Sequence, residues 1–161
     1  MLVSSFERGK ISLDEYLERT VFHQARPFTV QAFKDYMFSL SRPRPAVLKI
    51  AQALKDSGKY RLATINNESR ELNNFRIESN GLNRLFDLFV SSCFVGLRKP
   101  EDGIYQLALD LTQVPPDECC FVDDRALNVE AAARLGMQAI RVVNAAQLKQ
   151  ELEKLGVQDV S

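Results

Sequence analysis

The sequence predicts an α/β fold, a parallel sheet with helices on both faces, preceded by a small helical hairpin. Three observations carry this. From Tyr60 onward, short apolar runs alternate with segments of helical periodicity, and strands that alternate with helices make parallel sheets, because each crossover needs a helix. Residues 1–40 show helical patterning only. Between these regimes lies SRPRP, residues 41–45, and two prolines so close cannot sit inside a helix. The expected division is a helical segment at 1–42 and an α/β core at 43–161, with a hinge at the prolines.

The elements follow in order. In ISLDEYLERTVF, Ser12 caps a helix with Leu13, Tyr16, Leu17 and Val21 on one face. Thr29 caps a second, with Val30, Phe33, Met37 and Leu40 aligned. The pair reads as an aromatic-rich hairpin, either packing on itself or forming a lid over a site elsewhere. A helix over 46–57 aligns Val47, Ile50, Ala51 and Leu54, and Gly58 ends it. Tyr60–Ile65 is a short strand, followed by the polar turn Asn66–Ser69 and a helix from Arg70. Leu88–Cys93 is the next strand; the loop VGLRKPEDG leads into a helix through Ile104, Leu107, Ala108 and Leu111. Pro115 and Pro116 turn the chain into a strand at Cys119–Val122. A helix with Ala126, Val129, Ala132, Ala133 and Leu135 at helical spacing follows, and Gly136 stops it. Ala139–Val143 is the last strand and 145–155 the closing helix.

Composition removes several classes. The chain has 161 residues, with 21 basic and 21 acidic side chains, so nothing in its balance argues for a nucleic-acid or anionic-membrane partner. No apolar run approaches the roughly 20 residues of a membrane span, and MLVSSFERGK lacks the apolar centre of a signal peptide; a cytoplasmic location is expected. Cys93, Cys119 and Cys120 lie in strand-like runs without zinc spacing and are expected to be buried free thiols. The single histidine, His23, is expected on a helix face, without a catalytic role.

Three polar features fall at or just beyond strand ends: Thr64 with Asn66 and Asn67, then Lys99, then Asp123 with Asp124. In an open parallel sheet these loops share one edge, and that edge binds ligands. Adjacent carboxylates repel unless something positive joins them, and hard oxygen donors suit Mg²⁺. A lysine with hydrogen-bond donors stabilises a transferring phosphoryl group. The ordinary alternative for the acidic pair is a solvated turn in which Asp124 caps the next helix.

The segment GLRKPEDGIYQLALDLTQVPPDECCFVDDRALNVEAAARLGMQAIRV resembles the C-terminal half of the haloacid dehalogenase superfamily, mostly Mg²⁺-dependent phosphatases and some dehalogenases, and the resemblance covers Ala46 to Leu155. FERGKISLDEYLERTVF resembles the helical cap of its cap-bearing members. The resemblance implies a Rossmann-like core and a small phosphorylated molecule as partner. It implies that Lys99 neutralises phosphate and nucleophile, that Asp124 is the principal metal carboxylate, and that Asp123 ligates or orients the Mg²⁺. The family's second motif places a serine or threonine against the phosphate; here Asn66 falls at that position, and Thr64, of the right chemistry, lies two residues early. Asn67 beside it is a further candidate for the phosphate.

The resemblance also implies an element not found in this sequence. The family's nucleophile is the first aspartate of an Asp-x-Asp motif on a central first strand, and no Asp-x-Asp occurs in the 161 residues. That aspartate would form an aspartyl-phosphate. A strand burying about five large side chains contributes on the order of 10 kcal/mol, comparable with a whole domain's stability. The expectation is therefore a truncated or remodelled member, inactive alone, filling the gap with its own N-terminal segment or forming a homo-oligomer through Leu2, Val3 and Phe6. A non-enzymatic binding or assembly protein on the same scaffold is the alternative. A receiver-like signalling module fits less well, because receivers place the acidic pair early and the lysine late, and here the lysine precedes the acids.

Overall fold

A computed structural model describes residues 2–158 and 160. The chain opens with three helices, α1 (Leu2–Glu7), α2 (Leu13–Thr20) and α3 (Val30–Ser39). The expected caps are present: Ser12 Oγ accepts from the Glu15 amide and Thr29 Oγ1 from the Ala32 amide. Each satisfies a first-turn N–H that has no partner within its own helix. Phe6, Leu13 and Leu17 are buried together, and Phe33, Met37 and Phe38 of α3 pack against them. The hairpin therefore has a small aromatic core of its own.

α4 (Pro45–Asp56) starts at the second proline of the break, where a missing N–H costs nothing. Then follow β1 (Ala63–Asn66), α5 (Arg70–Ser79), β2 (Leu88–Ser91), the single turn α6 (Ser92–Val95), α7 (Asp102–Thr112), β3 (Cys120–Asp123), α8 (Ala126–Arg134), β4 (Gln138–Arg141) and α9 (Ala145–Lys154). The strands form two parallel pairs. β1 pairs with β2, Ile65 opposite Val90 and Asn66 opposite Ser91; β3 pairs with β4, Phe121 opposite Ala139 and Asp123 opposite Arg141. Among the described residues no strand hydrogen bonds join one pair to the other.

Helices cover both faces, as expected. On one, Val90, Ile104, Tyr105, Phe121, Ala131 and Ala132 form a continuous core between the strands and helices α7 and α8. It reaches both strand pairs, so packing of α7 joins what the ladder does not. On the other face Ile50 and Leu54 of α4 meet Ile140 of β4 and Leu148 and Leu152 of α9.

Several expectations are corrected. The first strand is Ala63–Asn66, not Tyr60–Ile65: Leu62 is already engaged by Asp87, whose carboxylate accepts from its amide and whose own amide donates to its carbonyl. Tyr60 instead accepts from the Gln158 amide. His23 lies exposed in the turn after α2, not on a helix. Cys93 is buried, but Cys119, just before β3, is only partly so, and Cys120 is exposed because β3 alternates inward and outward. Of the three residues expected to offer an N-terminal contact, Phe6 is buried and stacked on Tyr16, ring centroids 4.1 Å apart. Val3 is exposed and Leu2 partly buried. No helix among the described residues is long and apolar enough to cross a membrane.

Candidate functional site

β3 alternates exposed and buried residues and ends on an inward position, so Asp123 points into the protein and Asp124 lies beyond the strand. The strand's own periodicity thus separates two adjacent carboxylates into different environments. Asp123 is 9% exposed. Its Oδ2 accepts from Lys99 Nζ at 2.6 Å, and its Oδ1 accepts from the Arg125 amide at 2.8 Å and Asn128 Nδ2 at 3.0 Å. Burial pushes this carboxyl up, but the hydrogen bonds from Lys99, the Arg125 amide and Asn128 outweigh it and hold it below the usual aspartate range. Asp123 thereby also serves the first turn of α8, whose N-cap residue Arg125 offers no side-chain cap. The expectation that Asp124 caps this helix is corrected.

Asp124 is open. Its Oδ2 lies 3.2 Å from Arg44 Nη2, both side chains more than half exposed, and its carbonyl accepts from Arg141 Nε at 3.4 Å. Arg44 is the residue just before α4, so the proline-containing segment reaches the acidic turn.

Lys99 sits in the loop between α6 and α7. Its side chain is 12% exposed, with Nζ 5.6 Å from the centre of the Phe121 ring. The loop is tied down from outside by the end of α1 and the residue after it: Arg8 Nη1 donates to the Gly96 carbonyl at 2.5 Å, Arg8 also pairs with Glu101, and Glu7 pairs with Arg98 at 2.8 Å.

The residues after β1 divide their work. Asn67 Oδ1 accepts from the Lys99 amide and Asn67 Nδ2 donates to the Lys99 carbonyl, both at 2.8 Å. Asn66 Nδ2 donates to Asn73 Oδ1 at 2.9 Å, and buried Ser91 Oγ donates to the same oxygen at 2.9 Å. Thr64 Oγ1 and Asn66 Oδ1 are buried without a hydrogen-bond partner among the described residues. The two residues are two apart on one strand and share a face, so one side of β1 carries two polar atoms with unmet hydrogen-bonding capacity. The structure joins Asn67, Lys99 and Asp123 in one chain of contacts; Thr64 and Asn66 lie on the α5 side of β1.

Sequence reasoning passed over Asn128 and Glu68. Asn128 follows Asp123 by five residues in the first turn of a helix, a spacing that brings an amide back to the strand end. Tyr105 Oη donates to the Asn128 carbonyl at 3.0 Å, fixing that turn from the core. Glu68 follows Asn67 directly; burial raises its carboxyl above the ordinary range and outweighs the neighbouring Arg76, with which it pairs. Nothing local in the sequence marks it as buried.

Among the described residues no group of three or more histidines, cysteines or acids is arranged to hold a metal ion. Mg²⁺, however, ordinarily takes only one or two protein carboxylates and fills its remaining positions with water and phosphate oxygens. Asp124 fits that need, being open and of hard-oxygen chemistry, whereas the oxygens of Asp123 already serve three donors.

A model of the haloacid dehalogenase-like hydrolases matches residues 5–136. Bifunctional epoxide hydrolase 2 of Mus musculus is 35% identical over 128 residues, 78% of this chain and 23% of that protein. A chloroplast flavin mononucleotide hydrolase 1 of Arabidopsis thaliana is 29% identical over 163 aligned residues, covering 98% of this chain and 63% of the relative. The chain thus spans less than a quarter of the one and under two thirds of the other. Among solved structures, a predicted HAD-like hydrolase from Porphyromonas gingivalis superposes with a TM-score of 0.76 at 22% identity, covering 96% of this chain and 78% of its own. A HAD-family enzyme from Bacteroides thetaiotaomicron, crystallised with magnesium and inorganic phosphate, gives 0.72 at 19% identity, with 86% and 73% covered. With a family model matching most of its length and a lysine paired to an inward aspartate at the ends of parallel strands, this chain belongs to the haloacid dehalogenase-like hydrolases.

Proposed function

We propose that the chain carries the phosphate- and metal-binding part of a Mg²⁺-dependent phosphatase site acting on a small phosphorylated molecule. The observation behind this is the Lys99 Nζ–Asp123 Oδ2 contact of 2.6 Å at the carboxyl ends of parallel strands. A largely buried lysine side chain held there by a carboxylate offers its remaining N–H donors to an anion. Asp124 is the carboxylate that would hold Mg²⁺, with Asp123 orienting the lysine beside it. Bound there, Mg²⁺ would offset the charge on phosphoryl oxygens. Asn66, through its side-chain N–H group, and Thr64, through its hydroxyl, are the remaining candidates for contact with the substrate. The hairpin α2–α3 is the cap in this reading.

The nucleophile is not among these groups. Asp123 already accepts from Lys99, the Arg125 amide and Asn128, and no Asp-x-Asp occurs in the sequence. In this reading a strand carrying that motif completes the site, and the 161 residues alone bind phosphate without hydrolysing it. The named activity of the Arabidopsis relative makes flavin mononucleotide the first ester to try.

The test is titration of the full chain with inorganic phosphate in the presence of Mg²⁺, followed by ³¹P NMR, beside a turnover assay on flavin mononucleotide. Expected are saturable phosphate binding that Lys99→Met weakens at least tenfold, and no turnover. Turnover by these residues would overturn the inactive reading. Absence of binding, or no effect of Lys99→Met, would favour the non-enzymatic alternative.

A further inference from the structure

The geometry points to Asn67 as the residue that positions Lys99, acting through the lysine's backbone and not through the phosphate. We infer that Asn67 is a clamp: its side-chain amide pairs with both the N–H and the C=O of Lys99, two hydrogen bonds of 2.8 Å across 32 residues of sequence. This deepens the proposed function and rests on it only where phosphate binding is the readout.

A lysine side chain has four rotatable carbons and no preferred direction of its own. Where its ammonium group lies is decided by where its Cα is fixed and by what the ammonium meets. Here the far end is fixed by Asp123. The near end lies in a loop outside any helix or strand, so its peptide groups need partners supplied from elsewhere. At the margin Arg8, just after α1, donates to the Gly96 carbonyl, and the side-chain pairs Glu7–Arg98 and Arg8–Glu101 hold the loop from outside. At Lys99 itself both peptide groups go to Asn67.

The chemistry of the clamp is specific to asparagine. One planar group must accept from an N–H and donate to a C=O belonging to the same residue, which an amide does and a carboxylate cannot. Aspartate would keep the bond to the Lys99 amide but set a second oxygen against its carbonyl. Glutamine places the amide one methylene farther from β1. Asn67 also follows β1 directly, so the clamp refers Lys99 to the end of one strand pair while its ammonium is referred to the end of the other.

The experiment compares the full chain with Asn67→Ala, Asn67→Asp, Lys99→Met and the double variant Asn67→Ala/Lys99→Met. Thermal melting checks the fold of each. Amide hydrogen exchange is read at Lys99, the side-chain ammonium NMR signal of Lys99 reports its contact with Asp123, and inorganic phosphate is titrated with Mg²⁺ present. The expected result for Asn67→Ala is exchange at the Lys99 amide at least 100-fold faster, with β3 amides unchanged, and loss of the sharp ammonium signal. Phosphate affinity falls about tenfold, with no further loss in the double variant, because Asn67 acts through the lysine. Asn67→Asp keeps the acceptor; it should protect the Lys99 amide yet weaken phosphate binding, and it remains informative if the alanine variant does not fold. Unchanged exchange and an unchanged ammonium signal in Asn67→Ala would overturn the clamp. So would additive losses of phosphate affinity in the double variant. If the Lys99 signals respond as expected but no form binds phosphate, the clamp stands and the phosphatase reading fails.

Discussion

Arg44 Nη2 lies 3.2 Å from Asp124 Oδ2, so the segment linking the helical hairpin to α4 is tied to the more exposed of the two adjacent carboxylates. A guanidinium occupies the carboxylate that the proposed function gives to Mg²⁺. The pair is open to solvent on both sides, and exposed pairs of this kind are worth about 0–1 kcal/mol. Arg44→Gln should therefore leave the melting temperature nearly unchanged. It should tighten Mg²⁺ binding by about two- to fivefold, the reach of such a contact when it competes for one carboxylate. Isothermal titration with Mg²⁺ at low salt reads this directly, and weaker binding in the variant would count against a metal at Asp124.

Lys99→Met removes the only cationic side chain hydrogen-bonded to Asp123 among the described residues. Breaking a buried pair by deleting one partner costs more than the pair contributes, because the other charge stays behind. Asp123 keeps its bonds from the Arg125 amide and Asn128, so a loss of about 2–3 kcal/mol is expected at neutral pH. The sign of the pH dependence follows from the lowered carboxyl. A folded pKa below the unfolded 3.8 means stability fully present above 3.8 and lost as the pH falls through the folded value. Urea melts of wild type and Lys99→Met should accordingly converge in acid. A gap that stays constant from pH 7 to pH 3 would show that the lysine acts by packing alone.

Glu68 has the opposite sign. Burial raises its carboxyl above the ordinary 4.5 despite the pairing with Arg76, so the folded state favours the neutral form. This group's contribution becomes less favourable as the pH rises from the unfolded value through the folded one. Glu68→Gln should be neutral or slightly stabilising at pH 7, with the advantage vanishing below pH 4.5. Thermal melts at the two pH values decide it; a clear loss of stability at pH 7 would mean that the ion pair outweighs desolvation.

Gly9 turns the chain from α1 into the loop before α2 with φ +67°, and a Cβ built there would lie 2.1 Å from the Cys93 carbonyl oxygen. Gly9→Ala meets both a left-handed backbone and a collision with another main chain. A loss of about 2–5 kcal/mol is expected. Because α1 carries the ties to the Lys99 loop, protection of that loop should fall with it in hydrogen exchange.

What the sequence made legible was local. Ser12, Thr29 and Ser69 cap helices whose acceptors and donors lie three residues apart, and each was marked by residue type alone or by the polar turn before it. Lys99 and Asp123 could be placed on one edge because consecutive parallel strands put their ends there. The division of labour between Asp123 and Asp124 was not legible, since it depends on which residue of β3 falls on an inward step, and the strand proved to lie one residue later than expected. The position of β1 was decided by Asp87 and Gln158, far along the chain, against the apolar run that began at Tyr60. The clamp on Lys99 links residues 32 positions apart and leaves no periodic trace.

The two strand pairs share a hydrophobic core but no ladder among the described residues. An ordinary sheet resists shear through a row of peptide hydrogen bonds. Here a load that slides one half past the other is borne by side chains: the apolar packing of α7 along the middle, and at the carboxyl end Lys99, anchored to β1 through Asn67 and to β3 through Asp123. Lys99 is then a tie rod as well as a charge. Whatever engages its ammonium acts on the mechanical coupling of the two halves.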